Sequence, residues 1–339
     1  MTALLELSRA QILGHRRRAG SLDERLPAGA ESLRRAAWAG LQDSMPRAAL
    51  LSIHARVEGT EPNGWEHAAL RQLWGPRYSN YVVAAKDVAI FSLGRLTEHD
   101  GGQKRASETA TRLRAFLRGR RMPCEELGHA MRVNPNSLRY AAPTGTVLIH
   151  WDGARQPTVW CVAAPEMDAR EARLELARRY LHIFGPSTEV SFARWAGMRP
   201  GEARNAFAAL AGELTAVRTP LGNAWILSSD EGSFRAMLGR TAATRLLPSG
   251  DTHFLLWGAD RELLVPQPEH RTMLWTSRVW PGALLIGGEI AGVWRRAGAE
   301  VSIEPWRRLS KKVKEAVEEE AASLPLPGLN EHIRVKWIA

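Results

Sequence analysis

Cysteine is scarce in this chain, and lysine nearly as scarce. Only two cysteines, Cys124 and Cys161, occur in 339 residues. They lie far apart, without the Cys-x-x-Cys or His-rich spacing of a structural zinc site, so neither a disulfide framework nor a bound metal is expected. No cofactor motif stands out. Long apolar runs are missing too, since nothing approaches the ~20 residues that span a bilayer. The opening MTALLELSRAQ also lacks a signal-peptide layout. The expectation is a soluble, cytoplasmic, nucleoid-associated protein without a membrane partner. Acidic residues fall short of basic ones, 36 against 46, leaving a formal charge of +10 and an isoelectric point near 10.3. Six of the cations are lysine and 40 are arginine. A GC-rich coding sequence accounts for arginine over lysine, but not for the excess over acid. That excess points to nucleic acid.

What the chain does contain is repetition. An apolar content of 45% over 339 residues supports a packed core and two or three domains. The clearest repeat is DAREARLELARRYLHIFGPSTEVSFARWAG, in which Leu174, Leu176, Ala177, Tyr180, Leu181 and Phe184 mark an amphipathic helix stopped by Gly185-Pro186. Ser187 or Thr188 can cap the next short helix. RPGEARNAFAALAGEL gives a third, and TAVRTPLGNAWILSS reads as a hairpin. Helix, short helix, helix and hairpin make a winged helix-turn-helix. SETATRLRAFLRGRRM, PCEELGHAMRV, NPNSLRYAA and TVLIHWDGARQPTVWCVAA form a second copy. A more irregular copy opens the chain with LSRAQILGHRR, GAESLRRAAWAGL and PRAALLSIHARV, and RYSNYVVAAKDVAIFSL supplies a strand and a helix.

The texture changes after about residue 240. THFLLWG, ELLVP, TMLW and GALLIGGEIAGVWRRAGAEVSIEPW are short β-rich runs, which predict a small antiparallel barrel or sheet. A charged helix follows near 307–323, and EHIRVKWI is a last strand. The expected fold is α+β: three tandem winged helix-turn-helix units followed by a C-terminal antiparallel β-barrel. Its expected parts are residues 1–105, 106–166, 167–240 and 241–339.

In such a fold a recognition helix enters the major groove and the wing touches the backbone. The side chains placed to reach DNA are Asn134, Asn136, Ser137, Arg139 and Tyr140 in the second unit, and Arg199, Arg204 and Asn205 in the third. The basic runs Arg16, Arg17, Arg18 and Arg118, Arg120, Arg121 are candidates for phosphate contact. Winged helices also serve as protein-binding modules, and arginine runs are often merely solvated.

RRYLHIFGPSTEVSFARWAGM, PGALLIGGEIAGVWRR and IEPWRRLSKKVKEAVEEEA closely resemble the AlkZ-like bacterial DNA glycosylases. The resemblance runs in order over nearly the whole chain and is weaker between about 60 and 110. It implies tandem winged helices, a C-terminal β-barrel, a monomer, and removal of guanines alkylated at ring nitrogen-7 from double-stranded DNA. Bulky adducts and crosslinks are included. The family's active-site motif is Gln-apolar-Gln, or Gln-apolar-Asp, just before a Pro-containing helix. GLQDSMPRAAL stands in that place. Gln42 matches the first position, Asp43 stands at the apolar one, and Ser44 replaces the last: either Asp43 takes over the carboxylate role, or Ser44 holds a water, or activity is lost.

A 7-alkylguanine is cationic and leaves readily, so the protein must mainly place a water and stabilise an oxocarbenium-like sugar. Glutamine orients water but cannot titrate. Asp43 is therefore the candidate electrostatic or general-base group, with Gln42 positioning the water. Proline disfavours helix at the residue before it, so 42–45 is read as an irregular turn in which neighbouring side chains converge. Asp43 or Ser44 could equally cap the helix that holds Pro46. His54, further along that helix, is a candidate to face the cleft. The competing function is a non-catalytic winged-helix protein, either a transcription regulator or a lesion-binding shield.

Overall fold

The computed structural model describes residues 4–153, 155–236, 241–329 and 331–338. A short strand β1 (Leu5–Glu6) leads into α1 (Arg9–Ala19), whose start is fixed by a capping box between Ser8 and Gln11. Then come α2 (Ala30–Ala36), β2 (Leu41–Gln42), α3 (Ala48–His54), β3 (Leu70–Trp74), β4 (Asn80–Ala84) and α4 (Val88–Leu93). The strand and helix read from RYSNYVVAAKDVAIFSL are β4 and α4. The additional strand β3 pairs with β4, and β2 takes the other edge, giving an antiparallel sheet in the order β2-β4-β3.

The second unit contains α5 (Asp100–Leu117), β5 (Met122–Pro123), α6 (Cys124–Ala130), β6 (Val147–His150) and β7 (Thr158–Cys161). Between α6 and β6, the candidate recognition helix is a 3-10 helix, Pro135–Thr144, rather than an α-helix. Pro143 inside it carries no amide hydrogen, so a regular α ladder has no donor there.

In the third unit, α7 (Ala169–Phe184) is capped by Asp168 and α8 (Glu189–Ala196) by Thr188. They are followed by α9 (Pro200–Ala209), β8 (Leu214–Thr219), β9 (Gly222–Leu227) and α10 (Glu231–Arg235). Tyr180, Phe184, Phe192, Trp195 and Phe207 meet in one aromatic cluster with ring centroids 5.0–6.3 Å apart. The chain's beginning is built onto this unit. β1 lies parallel to β8, and Ile12 of α1 packs with Val217, Ile226 and Phe234.

The C-terminal part departs from the expected barrel. Its elements are β10 (Thr244–Leu247), α11 (Asp260–Leu264), α12 (Pro268–Leu274), β11 (Gly282–Ile286), β12 (Glu289–Ala297), β13 (Glu300–Pro305), α13 (Lys311–Ala322) and β14 (Arg334–Trp337). ELLVP and TMLW, read as strands, belong to α11 and α12; Pro268 begins the second of these where a missing amide hydrogen costs nothing. The five strands form an open sheet ordered β10-β11-β12-β13-β14, and no closed barrel is present among the described residues. The last strand returns beside β13, in parallel, at the edge opposite β10. Instead of closing on itself, the sheet is covered by α13, with Val317 and Ala321 buried against Leu246, Leu284 and Ile303. No helix among the described residues is long and apolar enough to cross a membrane.

Candidate active site

The strand β2 ends at Gln42, Asp43 continues its pairing by one hydrogen bond, and the chain bends at Ser44-Met45, so the expected turn begins at Ser44 rather than at Gln42. Gln42 pairs with Tyr81, and the amide of Asp43 donates to the Asn80 carbonyl at 2.7 Å. Extended backbone sends successive side chains to opposite faces. Leu41 and Asp43 are accordingly buried, while Gln42 is half-buried and Ser44 exposed. The expected convergence of Gln42 and Asp43 therefore does not occur. Gln42 and Ser44 share a face instead, and the Gln42 amide donates to Ser44 Oγ at 3.1 Å.

Asp43 sits beneath them, 3% exposed. One carboxylate oxygen accepts the Ala49 amide at 3.0 Å and the other accepts the Gln72 side-chain amide at 3.0 Å. Asp43, not Ser44, thus satisfies an open amide at the start of α3. Burial pushes its carboxyl up to about 6, and the Ala49 amide, the Arg47 charge and Gln72 offset only part of that. Gln72 carries the link onward, accepting from the Trp151 amide at 2.5 Å and donating to its carbonyl at 3.2 Å. The connection between β6 and β7 reaches the motif again at Gly153, which has φ of +84°; a Cβ there would lie 3.0 Å from Pro46.

From the C-terminal part, Gly250 lies against Gln42. The next residue, Asp251, is held by Arg56 of the segment after α3 in a two-point ion pair at 2.7 and 2.8 Å. Side-chain exposures of 2% and 0% make this a buried pair. Burial alone would raise Asp251, but the Arg56 guanidinium and further hydrogen bonds bring it below its ordinary value. A fourth contact comes from Arg77, between β3 and β4, which donates to Gln42 Oε1 at 3.3 Å and stacks on Trp257 at 4.0 Å. Trp257 also lines a cavity of about 220 Å³ against α8 and the third wing. The motif is therefore in contact with its own unit, with the β6–β7 connection and with the C-terminal part, and Arg77 links it to Gly197 after α8.

The remaining candidate residues are dispersed. Arg16 and Arg17 are 4% and 6% exposed and turn inward, away from any DNA phosphate. Arg16 donates to the Phe184 and Gly185 carbonyls, Arg17 pairs with Asp23, and Arg18 donates to Ser233. This basic run fastens α1 to the protein interior because α1 is packed on α7 and α10. Arg118 is exposed, Arg120 donates to carbonyls at the end of α5, and Arg121 stacks on Trp160 at 4.4 Å. His54 is buried and hydrogen-bonds Ser323 at 3.1 Å, beside Arg25. Burial, with the Arg25 and Arg245 charges, pushes it down to about 3, so it is neutral near pH 7.

In the second unit, Asn134 caps the 3-10 helix through the Asn136 amide, and Ser137 donates to the Asn134 carbonyl. Arg139 lies 6.0 Å from the Trp74 ring. Tyr140 meets Tyr78 edge-on at 5.4 Å, next to Arg77, and carries Arg105 on its face at 3.5 Å. This helix is thereby brought up to the motif. On α9, Arg199, Arg204 and Asn205 are exposed, and Asn205 donates to Glu98 at 3.4 Å. The sequence reading missed Gln72, Arg77, Trp151 and Trp257. Gln72 and Arg77 flank the Gly75-Pro76 turn between two apolar runs, a hairpin signal that could have located them.

Among the described residues, His15, His182 and Asp230 come nearest to a metal-ligating set, with potential ligand atoms within 4.8 Å of one another. Both ring nitrogens of His15 already have protein partners, Ser233 Oγ at 2.7 Å and the His182 carbonyl at 2.8 Å. A cation would have to displace these, so the trio reads as a hydrogen-bonded strut.

The AlkZ-like DNA glycosylase family matches residues 35–325 of this chain. An interstrand DNA cross-link repair glycosylase of Streptomyces sahachiroi is 29% identical over 162 residues, which are 47% of this chain and 43% of that protein. The match thus spans less than half the length of that curated relative. Among solved structures, the Streptomyces sahachiroi DNA glycosylase AlkZ superposes with a TM-score of 0.78 over 98% of this chain and 100% of its own, at 18% identity. That likeness speaks for the α+β fold. With the family match covering most of its length, the chain belongs to the AlkZ-like DNA glycosylases.

Proposed function

We propose that this protein is a monofunctional DNA glycosylase that excises bulky cationic guanine adducts alkylated at ring nitrogen-7, crosslinked guanines included. It acts as a monomer and protects a producer of a DNA-alkylating natural product. The observation that most supports this reading is the shared face of Gln42 and Ser44, hydrogen-bonded at 3.1 Å, within the span that matches the family and in the place where the resemblance puts its active-site motif.

Cleavage of the glycosidic bond returns the bonding pair to a cationic purine, so the leaving group needs no general acid. Gln42 and Ser44 hold the water that attacks the anomeric carbon, the amide and the hydroxyl each offering a donor and an acceptor. Asp43 does not reach the sugar. Its ionised form places a negative charge directly under the face where the oxocarbenium-like sugar develops, and water-excluded surroundings strengthen that field. The proton released by the attacking water passes to solvent.

The test is incubation with duplex DNA carrying bulky 7-alkylguanines, followed by alkaline cleavage to reveal abasic sites. Strand breaks at adducted guanines are expected. No abasic sites from several alkylators, with a working relative as control, would remove the glycosylase reading. The competing reading, a non-catalytic DNA-binding protein, is favoured by Ser44 in the motif's last position. It requires tight, sequence-dependent binding to undamaged duplex, whereas a glycosylase binds such DNA weakly and without sequence preference.

A further inference from the structure

Arg77 is a cation without a counter-ion among the described residues. No carboxylate lies within 4.0 Å of it among the described residues, although 17 other pairs do form. It is half-buried, and burial holds its guanidinium below the ordinary arginine range. Its only hydrogen bond to a described residue is the long one to Gln42 Oε1, at 3.3 Å. A partly desolvated guanidinium with one weak neutral acceptor has unused donors in a planar fork.

The backbone holds it there at a cost. Arg77 and Tyr78 both take left-handed φ, +53° and +58°, which is unfavourable by roughly 1–2 kcal/mol per residue. The hairpin turn is closed by the Gly75 amide on the Ser79 carbonyl at 2.8 Å and the Tyr78 amide on the Gly75 carbonyl at 2.9 Å. From the third unit, Gly197 (φ +72°) packs so closely that a Cβ would lie 3.0 Å from the Arg77 backbone. Trp257 supports the guanidinium from one face at 4.0 Å. Such strain, held by the hairpin turn, Gly197 and Trp257, fits a side chain placed for a task rather than for packing.

Its present contact also opposes the chemistry. A cation on Gln42 Oε1 occupies the acceptor that should orient water and face a developing positive charge. An anion that draws Arg77 away would free that oxygen. On the reading that the protein acts on DNA, the anion at hand beside a scissile nucleotide is its backbone phosphate, which matches a guanidinium fork in shape and charge.

We infer that Arg77 is the phosphate-binding residue of the site: it rests on Gln42 in the free protein and moves to a DNA phosphodiester next to the lesion on binding, releasing the Gln42 carbonyl. Undamaged 20-base-pair duplex is used to test this, so that the readout does not depend on excision. Equilibrium affinity is measured between 50 and 200 mM salt for the wild type, Arg77→Gln, Arg77→Met and Arg77→Lys, with melting temperatures as a folding check. Loss of one phosphate contact makes the salt slope shallower by about 0.9. Both neutral variants should show that change and bind about tenfold more weakly at 50 mM salt, while Arg77→Lys keeps the wild-type slope. Either neutral variant suffices if the other does not fold. A wild-type slope in a folded neutral variant overturns the inference while leaving the glycosylase reading intact. Absence of any salt-dependent DNA binding by the wild type overturns both.

Discussion

Asp43 and Gln72 are joined by a 3.0 Å hydrogen bond that ties the motif strand to its neighbouring hairpin and, through Trp151, to the second wing. Donors and acceptors in this chain are matched in one sense only. Gln72 needs its carbonyl for the Trp151 amide, so its NH2 must face Asp43, and Asp43 must accept at both oxygens.

Asp43→Asn therefore sets an amide donor against a donor. It should lower stability by about 1–3 kcal/mol, the usual cost of an unsatisfied buried group, and lower single-turnover excision by at least ~10²-fold. Thermal melting and excision kinetics on one preparation check both. Unchanged melting would show that Asp43 is not anchored as described, and unchanged excision that its charge does not serve the reaction.

Ser44→Ala removes an exposed hydroxyl whose one hydrogen-bond partner among the described residues is Gln42. Melting should stay within about 0.5 kcal/mol of wild type, while excision falls roughly tenfold. A stability loss like that of Asp43→Asn would return Ser44 to a capping role.

Acidity acts on rate and stability with opposite signs at Asp43. Its folded pKa is raised to about 6, so if the ionised form is active, excision should rise about tenfold per pH unit below 6 and level off above. A raised carboxyl contributes stability at low pH that is lost as pH rises through 6. The buried histidines pull the other way. Burial first of all lowers His15 to about 4, and His54 and His253 to about 3. A histidine kept neutral in the fold contributes stability above about pH 6.5 that is lost as pH falls toward its folded value. With three such groups against one, net stability should decline between pH 6.5 and 4. Melting temperature across that range checks the sign, and a rise on acidification would contradict the buried positions of these histidines.

Arg56→Met strands the Asp251 carboxylate, which is fully buried and also accepts from Ser52 Oγ at 2.7 Å. The expected loss is about 3–5 kcal/mol, read by denaturant unfolding. The double variant Arg56→Met with Asp251→Leu should recover much of it, because no buried charge remains.

Much of the fold was legible in local pattern. The period of Leu176, Tyr180 and Phe184, the cap at Asp168 and the Gly185-Pro186 stop define α7 without reference to anything distant. The helix that follows the Gln-Asp-Ser stretch was legible as well, because Pro46 precedes it. The barrel was not. ELLVP has strand-like composition, yet Asp260 begins a helix there, and whether β14 meets β10 or β13 depends on where α13 comes to lie.

The sequence by itself determined the order of helices and hairpins along the chain and the cationic balance, since these rest on periodicity, charge and turn chemistry within short windows. Tertiary structure alone decided which side chains the motif presents. Pairing of Gln42 with Tyr81 and of the Asp43 amide with Asn80 fixes the backbone so that Asp43 is sunk onto Gln72 while Gln42 and the exposed Ser44 lie together on the other side. The same long-range packing turned Arg16 and Arg17 inward and brought Arg77 to Gln42, from 35 residues away in the chain. No short window encodes the contacts of Gln42 with Tyr81, Asp43 with Gln72, Arg16 with Phe184 and Arg77 with Gln42, because each partner lies 29 or more residues away along the chain.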